Sequence, residues 1–167
     1  EPWTKLSYPK WIYDKMVSIL GREEAEKLLE AMNRRVLWLR INTLKADIDK
    51  VLRELERYDV MFEEDPDVPF LVKVLKSKKP LRSLPAVRDG KAIIQDKASV
   101  LTVIALGPAP GDLIYDFAAA PGIKTSLIMQ LTENRARIVA LDRSPRRLES
   151  MKALLKKYGV DTTRVDI

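Results

Sequence analysis

The sequence predicts an α/β chain: part of a doubly wound parallel sheet, preceded by helices and a small α+β module. Three observations predict it. After Gly90, apolar runs of strand length alternate with helix-length segments, the pattern of parallel strands joined by crossover helices. Before Gly90 two helices are followed by the order strand, helix, strand, strand, which suggests a small α+β layer. Between them lies a stretch through Pro80, Pro85 and Asp89-Gly90 with no helical periodicity, read as a connection. The expected organisation is residues 1–90 as an N-terminal module and residues 91–167 as the first part of an incomplete ligand-binding domain.

Taken in order, Ile12, Met16, Ile19 and Leu20 share one helical face that stops at Gly21. A second helix carries Glu23 and Glu24 in its first turn, with Ala25, Leu28, Leu29 and Met32 apolar and Arg34 and Arg35 at its end, charges that complement the helix dipole. Residues 36–41 form a compact strand signal. Asp47 is placed to cap a helix whose apolar face is Ile48, Val51, Leu52 and Leu55. Strands are expected near residues 60–63 and 70–75, separated by the turn-rich Asp65-Pro-Asp-Val-Pro69. In the second half, an apolar helix over 97–106 is ended by Gly107 and followed by a strand at 113–117. The loop 118–122 leads into a helix at about 124–131. A strand at 137–142 precedes a helix with Ser144 at its N-cap, Pro145 in its first turn and Leu148, Met151, Leu155 and Tyr158 as its stripe. A third strand is expected at 163–167.

Composition narrows the chemistry. Hydrophobic residues make up 46% of the 167 and charged residues 32%, enough to bury a core beneath a charged surface. There is no cysteine and no histidine. Disulfides, thiolate or imidazole metal sites, thiol nucleophiles and serine–histidine hydrolysis are therefore excluded from these residues. No apolar run approaches the roughly 20 residues of a membrane-spanning helix, and a cytoplasmic location is the expectation. The net charge of +6 is compatible with a polyanionic partner without specifying one.

Ligands of open α/β sheets bind beyond the carboxyl ends of the strands. Two features stand there. One is the turn Asp116-Phe-Ala-Ala-Ala-Pro-Gly-Ile-Lys124, in which small side chains permit close approach to the backbone, Gly122 permits unusual dihedrals, and Lys124 adds a charge at a helix N-terminus suited to a carboxylate. An ordinary alanine-rich strand-to-helix turn accounts for the same residues equally well. The other is Asp142, whose carboxylate can accept both hydroxyls of a ribose, or simply cap the next helix. Together they fit a nucleoside bearing a carboxylate or phosphate. A dinucleotide is disfavoured because Gly-x-Gly-x-x-Gly is absent and Gly122 is the loop's one glycine.

The run Asp116-Phe-Ala-Ala-Ala-Pro-Gly-Ile-Lys-Thr125 resembles the S-adenosylmethionine loop of the Sun/Fmu family of RNA cytosine-5 methyltransferases. Gln95-Asp-Lys-Ala-Ser99, Leu141-Asp-Arg-Ser-Pro-Arg-Arg-Leu148 and Leu39-Arg-Ile-Asn-Thr-Leu44 resemble three further family blocks. The resemblance implies a truncated, Rossmann-like class I methyltransferase domain behind an RRM-like module. It implies that Ala118, Ala119, Ala120, Pro121, Gly122, Ile123 and Lys124 cradle the methionine part of S-adenosylmethionine, that Asp142 holds its ribose, and that Arg147 lies near its adenosine, although a solvent-facing helix arginine accounts for Arg147 as well. Ala118 stands where the family commonly has Cys, and Ile123 where it has a second glycine, so a backbone without glycine's freedom is expected to weaken the cofactor's fit. The family's catalytic cysteines have no counterpart here and are expected beyond Ile167, which makes the chain alone an inactive fragment with no catalytic residue and no metal.

The implied substrate is rRNA or tRNA, not DNA. Arg34, Arg35, Arg40, Lys73, Lys76, Lys78, Lys79 and Arg82 are the candidate RNA contacts, although a solvated strand face accounts for lysines 73–79 as well. RNP-type aromatics for base stacking are not evident. Residues 113–117 are expected to form an apolar sheet edge able to pair with another chain. Two other readings compete: a non-catalytic RNA-binding or ribosome-assembly protein that retains the fold, and a nicotinamide-linked oxidoreductase.

Overall fold

A computed structural model describes residues 1–33 and 36–167. They form two compact units, Glu1–Val36 and Leu37–Ile167. The first holds three helices, α1 (Pro2–Lys5), α2 (Lys10–Leu20) and α3 (Arg22–Met32). Gly21 separates α2 from α3 at φ 76°, a left-handed backbone suited to glycine. Tyr13, Ala25 and Leu29 are buried, and the Tyr13 hydroxyl donates to Glu26 at 2.5 Å. Of the expected apolar faces, Ile19, Leu20, Leu28 and Met32 are exposed instead.

The second unit begins with β1 (Leu37–Ile41), α4 (Ile48–Arg57), β2 (Val60–Glu64) and β3 (Leu71–Ser77). Asp47 caps α4 as expected, accepting from the Lys50 N–H. The expected connection is not helix-free. It contains a 3-10 turn (Leu81–Ser83), α5 (Pro85–Arg88) and a short strand, β4 (Ala92–Ile94), which pairs with β1 across the boundary expected at residue 90. Pro85 reads as a breaker but occupies the first turn of α5, where its missing N–H costs nothing. The four antiparallel strands run in the order β2-β3-β1-β4.

Then come α6 (Lys97–Leu106), β5 (Leu113–Asp116), α7 (Ile123–Leu131), β6 (Arg137–Ala140), α8 (Pro145–Lys157) and β7 (Val165–Asp166). The three strands pair in parallel in the order β5-β6-β7. The expected third strand is shortened because residues 162–164 form a 3-10 turn capped by Asp161.

Two cores define the layers. Leu39, Ile41, Val72 and Ala92 pack on Val51 and Leu55 of α4. Leu71 and Ile93, alternating with them, join Ile138, Ala140 and Val165 of the parallel sheet around α6, α7 and α8. Helix α7 lies between the two sheets and is buried at every position from Thr125 to Gln130, as a helix covered all round must be. The far face of the parallel sheet is open: Leu113, Tyr115, Phe117 and Leu141 are exposed while Ile138 and Ala140 beside them are buried. β5 is an edge strand, where the sequence placed it.

Candidate nucleoside-binding site

The turn after β5 is held by its own backbone. The Leu141 N–H donates to the Asp116 carbonyl at 2.8 Å, and the Ala119 N–H donates to the Leu141 carbonyl at 2.9 Å. Asp116 closes the turn with its carboxylate, accepting from the Ala118 N–H at 3.3 Å and the Thr125 hydroxyl at 2.9 Å. The Ala120–Pro121 peptide is cis. Gly122 follows at φ 98°, and its N–H reaches the Ala119 carbonyl at 2.7 Å. A Cβ on Gly122 would sit 2.8 Å from Met151 Cγ of α8. This glycine therefore serves both the left-handed turn and the close packing of loop on helix. Ile123 opens α7 with an ordinary helical backbone that does not call for glycine; the left-handed residue of the loop is Gly122.

Of the small residues, Ala119 and Ala120 are buried, and Ala118 and Pro121 face outward. No described side chain caps the start of α7, and no acidic residue occupies its first turn. That leaves a positive helix end, with Lys124 beside it, suited to a carboxylate. Lys124 and Asp116 also line a cleft of about 210 Å3 between β5 and α6, with Ile114, Phe117 and Val103.

Asp142 follows β6 and turns toward the loop. Its side chain is 5% exposed and accepts from the Ala120 N–H at 3.2 Å and the Ser144 N–H at 3.0 Å. Arg147, one turn into α8, reaches back: its guanidinium lies 3.1 Å from Asp142 and donates to the Ala120 carbonyl. Loop, strand-end acid and helix arginine thus form one connected constellation. A carboxylate offers about four acceptor positions; Ala120, Ser144 and Arg147 occupy three on Asp142, which leaves one for a ribose hydroxyl. These residues fit a nucleoside carrying an anionic group. Among the described residues there is no cluster of acidic side chains able to hold a metal ion.

The basic residues assigned to RNA do not converge. Arg34 and Arg35 lie outside the described residues. Arg40 is fully buried, and the assignment to RNA is corrected: its guanidinium donates inside the core to Gln95, Gln130 and Ser126. Alternation along β1 predicts that side chain's direction, but only the second layer, which the sequence does not announce, covers it. Lys73 pairs with Glu63 and Lys78 with Asp59, so acids from the β2 side offset them. Lys79 lies 6.0 Å from the Tyr58 ring, and Lys76 and Arg82 are exposed. One face of the antiparallel sheet packs on α4; on the other, Leu71, Arg40 and Ile93 are buried while Glu63 and Leu75 on its β2–β3 side stay exposed.

Fold and loop together define a class I methyltransferase-type α/β domain behind a ferredoxin-like α+β layer. Two models of one family match most of the chain: the ferredoxin-like domain of the RsmF/B-like methyltransferases over residues 8–79, and the 16S rRNA methyltransferase RsmB/F over residues 103–167. The chain belongs to this Sun/Fmu, or RsmB/F, family of RNA cytosine-5 methyltransferases. It is 42% identical over 96 residues to the 28S rRNA (cytosine-C(5))-methyltransferase of Mus musculus, covering 58% of this chain and 20% of that protein. It is 31% identical over 157 residues to ribosomal RNA small subunit methyltransferase B of Escherichia coli (strain K12), covering 93% of this chain and 36% of that protein. A solved methyltransferase homolog from Pyrococcus horikoshii superposes with a TM-score of 0.85 at 30% identity, over 98% of this chain and 53% of its own. The chain therefore spans between about a fifth and a third of the length of these curated relatives.

Proposed function

We propose that this chain supplies the S-adenosylmethionine cradle of an enzyme that methylates C5 of cytosine in rRNA or tRNA. The observation that carries the reading is the Asp142 carboxylate bonded to the Ala120 N–H, which joins the strand-end acid to the loop. Asp142 holds the ribose hydroxyls. The uncapped start of α7 and Lys124 receive the cofactor's carboxylate, and Ala118 and Pro121 form the wall against its methionine chain. Arg147 packs over the adenosine side. The bound cofactor supplies an electrophilic methyl group on sulfonium, and these residues orient it and keep its two ends apart. A thiolate that attacks cytosine C6, as in the family, finds no cysteine among these 167 residues. The chain alone is accordingly inactive.

Lys76, Lys79 and Arg82 are proposed as phosphate contacts of salt-dependent, sequence-poor affinity. The proposed site of action is cytoplasmic; among the described residues no helix is long and apolar enough to cross a membrane. Titration calorimetry with S-adenosylhomocysteine and NAD tests the reading: the first is expected to bind and the second not. Binding of NAD alone would replace it with the oxidoreductase reading.

A further inference from the structure

The least expected side chain in the molecule is Arg40. It is wholly buried, and the groups it donates to are all neutral. Burying an unpaired cation is costly, and the protein meets that cost with neutral acceptors: Nε donates to Gln95 Oε1 at 2.7 Å, and the two terminal nitrogens reach Gln130 Oε1, Ser126 Oγ at 2.7 Å and the Ile123 carbonyl at 3.4 Å. Burial pulls the guanidinium down to about 9. Three of these acceptors, Ile123, Ser126 and Gln130, lie along one face of α7, and Ile123 directly follows Gly122. The Ser126 hydroxyl also donates to the Ile123 carbonyl at 2.8 Å, and the Gln130 amide donates back to the Ile41 carbonyl at 3.1 Å. Two residues further along, buried Asn42 donates to the Tyr158 carbonyl at 2.8 Å at the end of α8. The segment Leu39–Asn42 thus grips both helices that flank the 118–124 loop.

The guanidinium spans α7 from its first residue to its last turn, and its contact at the N-terminal end is the 3.4 Å one to the Ile123 carbonyl. Positive charge at that end opposes the macrodipole and suits an anion bound there. We propose that Arg40 is a positioning residue for the cofactor loop: from the antiparallel sheet it fixes Ile123 and Ser126, and its charge adds to the field that receives the carboxylate end of the ligand. The ligand half of this inference rests on the cofactor reading above; the ordering half does not.

Two variants test it, Arg40→Met and, because Arg40→Met leaves the Gln95, Gln130 and Ser126 side-chain oxygens without this donor, the milder Ser126→Ala. Amide hydrogen exchange reads the ordering directly. Exchange at residues 123–127 is expected to speed up selectively, with α8 and β6 unchanged. Calorimetry then compares S-adenosylhomocysteine with adenosine, which lacks the amino-acid end. Arg40→Met should weaken the former about 10- to 100-fold, the range for charge-assisted contacts, and leave adenosine unchanged; Ser126→Ala should shift the same way by less. Unchanged exchange at 123–127, or equal loss of both ligands, overturns the proposal. If Arg40→Met does not fold, Ser126→Ala decides by the same criteria. If the parent chain binds neither ligand, the cofactor reading fails and takes the ligand half with it, while exchange still decides the ordering half.

Discussion

Asp142 and Ala120 lie 22 residues apart, and the carboxylate of one accepts the backbone N–H of the other at 3.2 Å. A residue that merely capped α8 would satisfy Ser144 and stop there. Asp142 accepts from Ser144 as well, yet Ser144 itself supplies the side-chain cap of α8, taking the Arg147 N–H. The second carboxylate oxygen is thereby turned to the loop, where Arg147 also reaches it at 3.1 Å, beside the place a ribose would take. Asp142→Ala is expected to lower S-adenosylhomocysteine affinity by about 1.5–3 kcal/mol, the range for hydrogen bonds to a charged group. Calorimetry on the variant, with circular dichroism to confirm its fold, checks this. Undiminished affinity in a folded variant would remove Asp142 from the site.

Gly122 and Ile123 are neighbours with opposite requirements. Gly122→Ala places a methyl 2.8 Å from Met151 Cγ at a φ of 98° and is expected to cost about 1–3 kcal/mol. Ile123→Gly restores the residue the family commonly has there, yet Ile123 packs partly against the core from the first position of a helix. That change is expected to lower stability by about 1–2 kcal/mol and leave S-adenosylhomocysteine affinity unchanged. Urea unfolding of both variants, with calorimetry on the second, measures these effects.

How much of this was legible in the sequence depended on the range of the forces involved. Local signals were: Asp47 and Ser144 as caps, Gly21 as a stop, and the loop between β5 and α7, whose residues are adjacent in the chain. Asp142 was legible because a strand end is a fixed place in an α/β sheet. Long-range covering was not. Arg40 carries the same charge as a solvated arginine, and nothing near it in sequence announces that α7 will lie over β1. Ile19 and Leu20 show the converse, apolar residues with correct helical spacing that the described structure leaves exposed. β4 spans three residues, too few for any periodicity to register.

Asp65 and Lys97 form a largely buried pair at 2.5 Å, and Asp67 lies 3.2 Å from the same ammonium. The hydrogen bond from Lys97 holds the Asp65 carboxyl below its ordinary range against the opposing effect of burial, and the same bond raises Lys97. The depressed carboxyl contributes stability that is complete above the ordinary aspartate value of about 3.9 and is lost as pH falls below it. The raised amine contributes stability that is complete below the ordinary lysine value of about 10.4 and is lost as pH rises above it. Thermal unfolding should therefore show a contribution flat across neutral pH that declines at both extremes. Asp65→Asn is expected to remove the Asp65 share of the acid decline. An acid limb identical to that of the parent would show that the pair does not contribute to it.

The open face of the parallel sheet bears on how the chain behaves in solution. Leu113, Tyr115 and Phe117 project from an edge strand, with Phe117 at 75% exposure and its ring 6.3 Å from that of Tyr115. An unpaired strand edge beside an apolar face is a template for another strand. The chain is expected to self-associate with rising concentration, and Phe117→Lys should suppress this, because a charge at the strand end opposes edge pairing without touching the buried face formed by Ile114, Ile138 and Ala140. Light scattering across a dilution series, on the parent chain and on the variant, measures it. A parent chain that stays monodisperse and unfolds cooperatively as a monomer would show that this edge and face are tolerated without a partner.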